Sequence, residues 1–257
     1  MTQADDKPGG GGPALIGPTF CHAPSWPPPF DIPLAVVDEP SCGYFPGRPT
    51  RLRAFAAAAL APAVFEKFLD AGFRRSGRVI YQPACRGCRA CVPIRIDAAR
   101  FVPTAAQRRC ARRNADLVVT IGPPAADDER FDLYRRYQRL RHGDTETDRE
   151  SFDSHFARSP VQSAEFAYRD ATGRLLAAGL CDLTPRVVSS VYFYYDPEPP
   201  AVSRGLGIFG ALVEIDFARR TARPWYHLGY HVAGCRAMEY KAAFAPHEHL
   251  GPDGTWR

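Results

Sequence analysis

The feature that most constrains the fold is a strand–turn–helix–strand run in the second half of the chain. Val187 to Tyr195 is rich in Val and Tyr and predicts a strand, and Trp225 to Leu228 predicts another. Between them, a glycine-rich turn from Arg204 to Gly210 opens a helix that runs to about Ala222. A helix that connects two strands in this way indicates an α/β structure.

The neighbouring segments extend this pattern over residues 127–257. Asp127 to His142 predicts a long amphipathic helix, and Arg149 to Ala157 a second one. A strand from Arg174 to Cys181 precedes the run described above, and a last helix is predicted from Ala233 to Phe244. Antiparallel strands followed by a strand–helix–strand unit indicate a fold like that of the acetyltransferase (GNAT) superfamily. In that fold, the loop between the central strand and its helix receives a phosphate-bearing donor.

The first half predicts a smaller α+β domain over residues 31–121, followed by the linker Gly122 to Ala126. Its apolar, Ala-rich segment, Ala54 to Phe65, predicts a core helix that Pro62 kinks or divides, and the helical pattern ends before Gly72. Thr104 and Gln107 form a capping-box pair at the start of another helix. Residues 1 to 30 are rich in Gly and Pro, so we expect them to be flexible.

Arginines are concentrated in one segment of the chain. Between Arg74 and Arg113 there are eleven arginines, no lysine and one acid, so this segment carries +10 while the whole chain carries +5. A solvated face usually mixes Lys, Arg and Glu, whereas the planar guanidinium suits phosphates. The pattern therefore favours a polyanionic partner, first of all a nucleic acid.

Three cysteines with two-residue spacing, Cys85, Cys88 and Cys91, predict a tight turn that points its thiols at one ion. Cys42 is the candidate fourth ligand, with Cys110 as an alternative. Two interpretations stay open: a zinc ion or iron–sulfur cluster, or reduced thiols whose pKa is lowered by adjacent arginines. Eight cysteines without a secretion signal argue against a disulfide framework.

Two further motifs suggest anion binding. Arg74 and Arg75 stand between Gly72 and Gly77, where paired guanidinium groups can hold a carboxylate or phosphate, or can oppose the dipole of the preceding helix. The Gly205-x-Gly207-x-x-Gly210 turn matches a dinucleotide fingerprint, although the following residues do not build a Rossmann unit. It predicts a phosphate or carbonyl site at a helix N-terminus, with a purely structural turn as the alternative.

Several ordered blocks resemble the aminoacyl-tRNA–protein transferases, most closely the bacterial leucyltransferases that act on N-terminal Asp and Glu and are related to the eukaryotic arginyltransferases. The similar blocks are Cys42–Arg48, Gly72–Gly77, Cys85–Ile96, Gln107–Arg109, Ser189–Pro197, Leu228–Tyr230 and Gly234–Lys241. They lie in both halves of the chain, over residues 30 to 257.

The resemblance implies that the α-amine of a protein attacks the ester carbonyl of an aminoacyl-tRNA, with no cofactor required for the transfer. The implied product is a protein marked for degradation. An activated ester needs positioning and mild general-base help, for which the candidate residues are Asp182, Tyr230, His231 and Glu239. The candidate cations for the acceptor carboxylate are Arg74, Arg75 and Lys241. The candidate tRNA contacts are Arg108, Arg109, Arg112, Arg113, Gly205, Gly207 and Gly210.

Three alternatives stay open at this stage. In the first alternative, the donor amino acid is arginine instead of leucine. In the second, the chain is a coenzyme A-dependent N-acyltransferase. In the third, it is an RNA-binding module without enzymatic activity. The acidic start with Asp5 and Asp6 lacks the pattern of a signal peptide, and no apolar run approaches the roughly 20 residues that a membrane span needs. We therefore expect a cytoplasmic protein without a membrane partner.

Overall fold

The computed structural model describes residues 26–257 and contains two β-sheets with helices packed against them. The predicted flexible N-terminus lies, up to residue 25, outside the described residues. The strands are β1 Ala35–Glu39, β2 Thr50–Ala56, β3 Arg74–Ser76, β4 Val79–Pro83, β5 Cys91–Asp97, β6 Val118–Gly122, β7 Ser163–Arg169, β8 Leu175–Leu183, β9 Val187–Tyr195, β10 Trp225–Val232 and β11 His247–His249. The α-helices are α1 Pro62–Asp70, α2 Ala105–Arg113, α3 Asp128–Tyr137, α4 Arg149–Phe156, α5 Leu206–Arg220 and α6 Arg236–Glu239.

The smaller sheet is antiparallel and has the order β1-β2-β4-β3. Helix α1 places Phe65, Phe68 and Leu69 in the core beside this sheet, together with Phe73 and Ile80. The helix starts at Pro62 because proline at the first helical position has no amide hydrogen to leave unbonded. The prediction of a helix from residue 54 is wrong in its first part, since residues 54–56 end strand β2.

The larger sheet has seven strands in the order β11-β5-β10-β9-β8-β7-β6, and β9 and β10 are its parallel pair. Strand β8 is buried along its whole length because both faces of the sheet are covered. One core contains Leu206 and Ile215 of α5, and the other contains Leu133 of α3 and Phe152 of α4. The strand–helix–strand run predicted from the sequence is β9–α5–β10, which confirms the α/β class and the GNAT-like second half.

The larger sheet does not follow the predicted domain boundary. Strands β5 and β6 belong to the segment 31–121, yet they pair with β10 and β7 of the second half. The linker at residues 122–126 therefore does not separate two sheets. Sequence pattern shows where a strand lies but does not show its partner, since pairing depends on contacts between distant residues.

Local predictions at the helix ends agree closely with the structure. The Thr104 side chain accepts from the Gln107 amide at 3.2 Å, and the Gln107 side chain accepts from the Thr104 amide at 2.8 Å, which confirms the capping box. The predicted last helix is shorter than expected, with α6 followed by a 3₁₀ turn at Tyr240–Ala243. Among residues 26–257, every helix is too short or too polar to cross a bilayer.

Candidate active site

The parallel strands β9 and β10 stop pairing halfway along their length. Their pairs run from Trp225 with Val187 to His227 with Ser189, and β10 then shifts its register against β5 before Tyr230. Gly229 lies within this irregularity at φ +87°, a conformation that glycine adopts without the steric cost of a side chain. We call the region between β9 from Ser190 onward and β10 from Leu228 onward the fork.

Arg74 of β3 reaches the start of the fork. Its Nη1 donates to the Ser189 hydroxyl at 3.0 Å, and its Nη2 donates to the Ser190 carbonyl. The residue is 8% exposed, so its charge is largely removed from water. Sequence reasoning named Arg74 but missed the two serines that hold it, because small polar residues in a strand carry no signal for a distant partner.

Lys241 brings a second buried cation to the same place. Its Nζ donates to the Tyr230 carbonyl at 2.9 Å, and burial followed by repulsion from Arg74 lowers its pKa to about 7. A methyl group on Gly229 would lie 3.3 Å from Lys241 Nζ and 3.6 Å from Arg74 Nη2, so both cations flank this glycine. Within residues 26–257, neither cation forms an ion pair with a carboxylate. Two neighbouring buried cations of this kind are able to bind an anion.

Arg75 and Asp182 lie elsewhere and bind each other. Arg75 Nε and Nη2 donate to the two carboxylate oxygens at 2.8 and 2.7 Å, and both side chains are 0% exposed. The remaining Arg75 nitrogen donates to the Gly77 carbonyl at 2.7 Å, and Asp182 also accepts from the Ser163 hydroxyl at 2.7 Å. Because successive strand residues point to opposite faces, the arginine pair is divided. We reassign Arg75 from acceptor binding and Asp182 from catalysis to a structural ion pair.

The other candidates for general base surround the fork at its β10 side. The Tyr230 hydroxyl is buried and donates to the Gly72 carbonyl at 3.0 Å, which occupies its proton. His231 is half-buried and lies 3.2 Å from His249, and its pKa is lowered by burial and by the neighbouring His247. Glu239 is exposed and accepts from the Gly234 amide at 3.2 Å. None of these contacts selects one of them, so their catalytic roles stay predictions.

The glycine turn and the arginine-rich helix form a second, neighbouring part of the site. Gly205 is left-handed at φ +71° and precedes α5, while Gly210 packs against the Phe193 ring so closely that a side chain there would clash. Gly207 is half-buried in the first turn of the helix. The Cys110 thiol of α2 donates to the Gly205 carbonyl at 3.4 Å, so α2 lies against this turn.

Helix α2 presents its four predicted tRNA contacts to solvent: Arg108, Arg109, Arg112 and Arg113 are all exposed. Arg113 also donates to the Ser203 carbonyl at 2.8 Å, just before the glycine turn. Several other arginines of the +10 segment do not share this surface, and Arg74 and Arg75 among them are buried. Arg95, for example, lies between the rings of Trp225 and Trp256, at 3.8 and 4.4 Å from their centres. The basic surface beside the turn is therefore smaller than the sequence implied.

The four predicted metal ligands lie near one another. Burial and the neighbouring thiols of Cys85, Cys42, Cys88 and Cys235 raise the pKa of Cys91 to about 12. Cys235 was missed by sequence reasoning, because it stands alone after β10. No group of three or more His, Cys, Asp or Glu side chains between residues 26 and 257 is placed to hold a metal ion. We derive no step through a metal, and zinc or an iron–sulfur cluster stays a prediction that metal analysis of the protein will decide.

A cavity of about 330 Å³ adjoins the cysteine loop. Its walls are mostly apolar and include Trp26, Ala84 and Leu250, with Arg89 and Arg257 as the charged members. In the described part of the chain, no Asp or Glu lines it. The chemistry of this cavity suits an apolar group and disfavours a cationic one.

Comparison with known proteins identifies the family. The N-terminal and C-terminal profiles of arginine-tRNA-protein transferase match residues 40–109 and 129–251. An aspartate/glutamate leucyltransferase of Pseudomonas putida strain W619 is 41% identical over 214 residues, which cover 82% of this chain and 90% of the relative. The aspartate/glutamate leucyltransferase of Thiobacillus denitrificans is 36% identical over 235 residues, which cover 90% of this chain and 96% of the relative.

Solved structures show more distant similarity. The L-PGS protein from Bacillus licheniformis superposes with a TM-score of 0.44 at 10% identity, over 77% of this chain and 68% of that one. FemX has a TM-score of 0.42 at 8% identity, over 64% of this chain and 59% of the other. The family assignment rests on two findings. The two family profiles match both halves of the chain in order, and the relatives are 36–41% identical over 90% or more of their own length. The chain belongs to the aminoacyl-tRNA–protein transferase family that contains the aspartate/glutamate leucyltransferases.

Proposed function

We propose that this protein transfers leucine from leucyl-tRNA to the N-terminal Asp or Glu of other proteins. The observation that carries the proposal is the pair of buried cations, Arg74 and Lys241, which flank Gly229 and have no carboxylate partner in the described part of the chain. Burying two like charges costs several kcal/mol unless an anion joins them. The side-chain carboxylate of an N-terminal Asp or Glu supplies that anion and is held on two sides.

The acceptor α-amine then lies at the fork, one or two methylene groups from the bound carboxylate. This placement discriminates against Asn and Gln, which have the same shape without the charge. It also discriminates against the opposite charge, since a cationic side chain would meet Arg74 at 8% exposure with little water to screen the repulsion. Specificity for acidic residues thus follows from charge at a desolvated position.

The donor enters from the side of α2 and the glycine turn. The exposed guanidinium groups of Arg109 and Arg112 are free to bind acceptor-stem phosphates, because each lies on the solvent side of α2. The free amide groups at the start of α5 face the incoming polar end of the donor, as helix N-termini do with anions. The α2–α5 contact keeps both features adjacent.

The chemistry is aminolysis of an ester. The neutral α-amine attacks the ester carbonyl, a C–N bond forms, the C–O bond to the ribose breaks, and the ribose oxygen receives a proton. Because the ester is already activated, holding the two reactants in contact supplies much of the acceleration. The amine has a pKa near 8, so losing its proton at neutral pH requires a weak base only.

Leucine, rather than arginine, is supported by two observations. The relatives are named aspartate/glutamate leucyltransferases, at 36–41% identity. The cavity of about 330 Å³ beside the cysteine loop is mostly apolar and contains two arginines. A leucyl side chain fits such a lining, whereas an arginyl side chain would need a counter-ion there. Arginine is the alternative donor, and the transfer experiment described below compares the two.

The cellular consequence follows from the product. A new N-terminal leucine on a protein that began with Asp or Glu creates a degradation signal for the proteolytic machinery that recognises N-terminal residues. The donor, an aminoacyl-tRNA, is a cytoplasmic molecule, so the reaction belongs to the cytoplasm.

The test supplies the purified full chain with labelled leucyl-tRNA, arginyl-tRNA or acetyl-coenzyme A, and with peptides that differ in their first residue only. We expect leucine transfer to Asp- and Glu-starting peptides and none to the Asn-starting peptide. Arg74→Ala should raise the KM for the Asp peptide by tenfold or more. Arg78→Ala is the matched control, since Arg78 belongs to the same segment and is exposed.

Three outcomes would contradict the proposal. Equal transfer to Asp and Asn peptides would remove the cation pair from acceptor recognition. Arginine transfer without leucine transfer would replace the donor, and acetyl transfer without either would replace the enzyme class.

A further inference from the structure

A carboxylate lies buried on the helix that covers the fork. The residues of α5 that face the sheet are Leu206, Gly210, Ala211, Glu214, Ile215 and Ala218, and only Glu214 among them carries a charge. Glu214 is 1% exposed. Any apolar residue of similar size would pack here at lower cost, because a buried carboxylate loses its hydration. Packing alone therefore does not explain why a glutamate occupies this position.

The contacts of Glu214 leave one of its oxygens open. Oε2 accepts from the Tyr226 hydroxyl of β10 at 2.6 Å, whereas no group among residues 26–257 makes a hydrogen bond of normal geometry to Oε1, although the Cys181 thiol and the Ser190 hydroxyl lie beside the carboxyl. Oε1 would lie 2.7 Å from a methyl group on Gly179, so glycine at that position of β8 makes room for the carboxyl. Most buried carboxylate oxygens are hydrogen-bonded, so the open Oε1 and the space that Gly179 leaves for it need an explanation.

In the part of the chain that the structure describes, the groups that act on Glu214 include no cation. Tyr168 of β7, Cys181 of β8 and Tyr226 of β10 face it, and Tyr240 lies in the 3₁₀ turn nearby. All of these are neutral at pH 7, so none stabilises an ionised carboxylate by charge. Burial raises the pKa of Glu214 to about 7, against the opposing effect of the Tyr226, Cys181 and Ser190 side chains. The carboxyl is thus able to gain and lose a proton near neutrality.

Ser190 connects this carboxyl to the fork. Its hydroxyl faces both Glu214 and Tyr226, its side chain is half-buried, and its carbonyl accepts from Arg74. Ser190 and Tyr226 stand on the two strands that separate, β9 and β10. Ser190 therefore contacts the two sites through different groups: its hydroxyl lies beside Glu214, and its backbone carbonyl binds Arg74.

We propose that Glu214 is the proton acceptor that acts through the Ser190 hydroxyl during aminoacyl transfer. This inference rests on the proposed function. As the amine attacks, Ser190 takes the proton that the nitrogen loses and passes its own proton to the Glu214 carboxylate. When the ester C–O bond breaks, the same path returns a proton to the ribose oxygen. Glu214 ends each turnover ionised, as it began, and no further reactant is consumed. In this role Glu214 does not touch the substrate. It acts through the Ser190 hydroxyl, with which it exchanges a proton.

The test compares pH profiles of single-turnover leucine transfer to an Asp-starting peptide. The wild-type rate should rise with pH through a limb near pH 7. Glu214→Gln should lower the rate at pH 7.5 by about a hundredfold and abolish that limb, as expected for loss of general-base help. Glu214→Asp should retain a shifted limb, and Ser190→Ala should resemble Glu214→Gln. Asp216→Asn, on the exposed side of the same helix, is the matched control and should retain both rate and limb.

A second measurement keeps the inference open to refutation where a variant fails to fold. Carbon-13 NMR of glutamate-labelled wild-type protein should show one carboxyl that titrates near pH 7. A profile of Glu214→Gln with the wild-type limb, or titration of Glu214 below pH 5, would overturn the inference. A wild-type protein that transfers no leucine would overturn the proposed function, while the NMR titration would still report on Glu214.

Discussion

Replacing Arg75 with alanine should destabilise the fold far more than replacing its neighbour Arg74. Arg75→Ala leaves the Asp182 carboxylate at 0% exposure with the Ser163 hydroxyl as its hydrogen-bond partner. Breaking a buried ion pair by removing one partner costs about 3–5 kcal/mol. We expect a loss of about 4 kcal/mol, a large share of the roughly 5–15 kcal/mol that stabilises a typical domain.

Urea unfolding of the wild type and three variants measures this difference. Arg75→Ala should shift the midpoint to much lower urea, and the double variant Arg75→Met with Asp182→Leu should recover most of the loss, since no buried charge is then left unpaired. Arg74→Ala should cost less than about 1.5 kcal/mol, because Arg74 has no acidic partner among residues 26–257 and its removal relieves repulsion at Lys241. If Arg75→Ala were as stable as Arg74→Ala but lost acceptor binding, the assignment of Arg75 to the scaffold would be refuted.

Four further outcomes are expected. Glu214→Gln should be more stable than the wild type by about 3 kcal/mol at pH 8, because a carboxyl whose pKa rises from 4.5 to about 7 on folding loses stability as pH increases through that range, at about 1.4 kcal/mol per pH unit. Equal urea midpoints at pH 4.5 and pH 8 for both proteins would contradict this. The KM for an Asp-starting peptide should increase from pH 6 to pH 8 as Lys241, with a pKa of about 7, loses its proton, and Lys241→Met should flatten the dependence. Gly229→Ala should cost about 1–2 kcal/mol in the left-handed backbone and raise the acceptor KM without changing leucyl-tRNA affinity. Arg109→Ala with Arg112→Ala should reduce the salt slope of tRNA binding by about 1.5, whereas Arg219→Ala with Arg220→Ala should not.

Local patterns in the sequence predicted local structure well. The capping box at Thr104 and the glycine turn before α5 both depend on neighbouring residues. The paired arginines show where this reasoning stops. Arg74 and Arg75 were treated as one ligand-binding unit after a helix, but a three-residue strand directs them to opposite sides.

The long-range contacts of the site could not be predicted from the sequence, because no residues close by in the chain encode them. Ser190 approaches Arg74 over 116 residues, and the register shift around Gly229 arises from pairing with β5, more than 130 residues earlier. Glu214 stands in an ordinary helical pattern, and its isolation becomes visible only when the strands beneath it are assembled. Burial of a charged residue on an otherwise apolar helix face is a signal that sequence alone offers weakly.

The short strand β3 has a consequence for how such enzymes diversify. Arg75 fastens the smaller sheet to the larger one through Asp182, whereas Arg74 binds Ser189 and, in the proposed function, the carboxylate of the acceptor. Selectivity and mechanical integrity are thus separated by a single peptide bond. If Arg74 holds the acceptor carboxylate as proposed, a change at Arg74 alone should alter the preference for the N-terminal residue while the architecture stays intact, and this position is then the one to vary when new acceptor preferences are engineered.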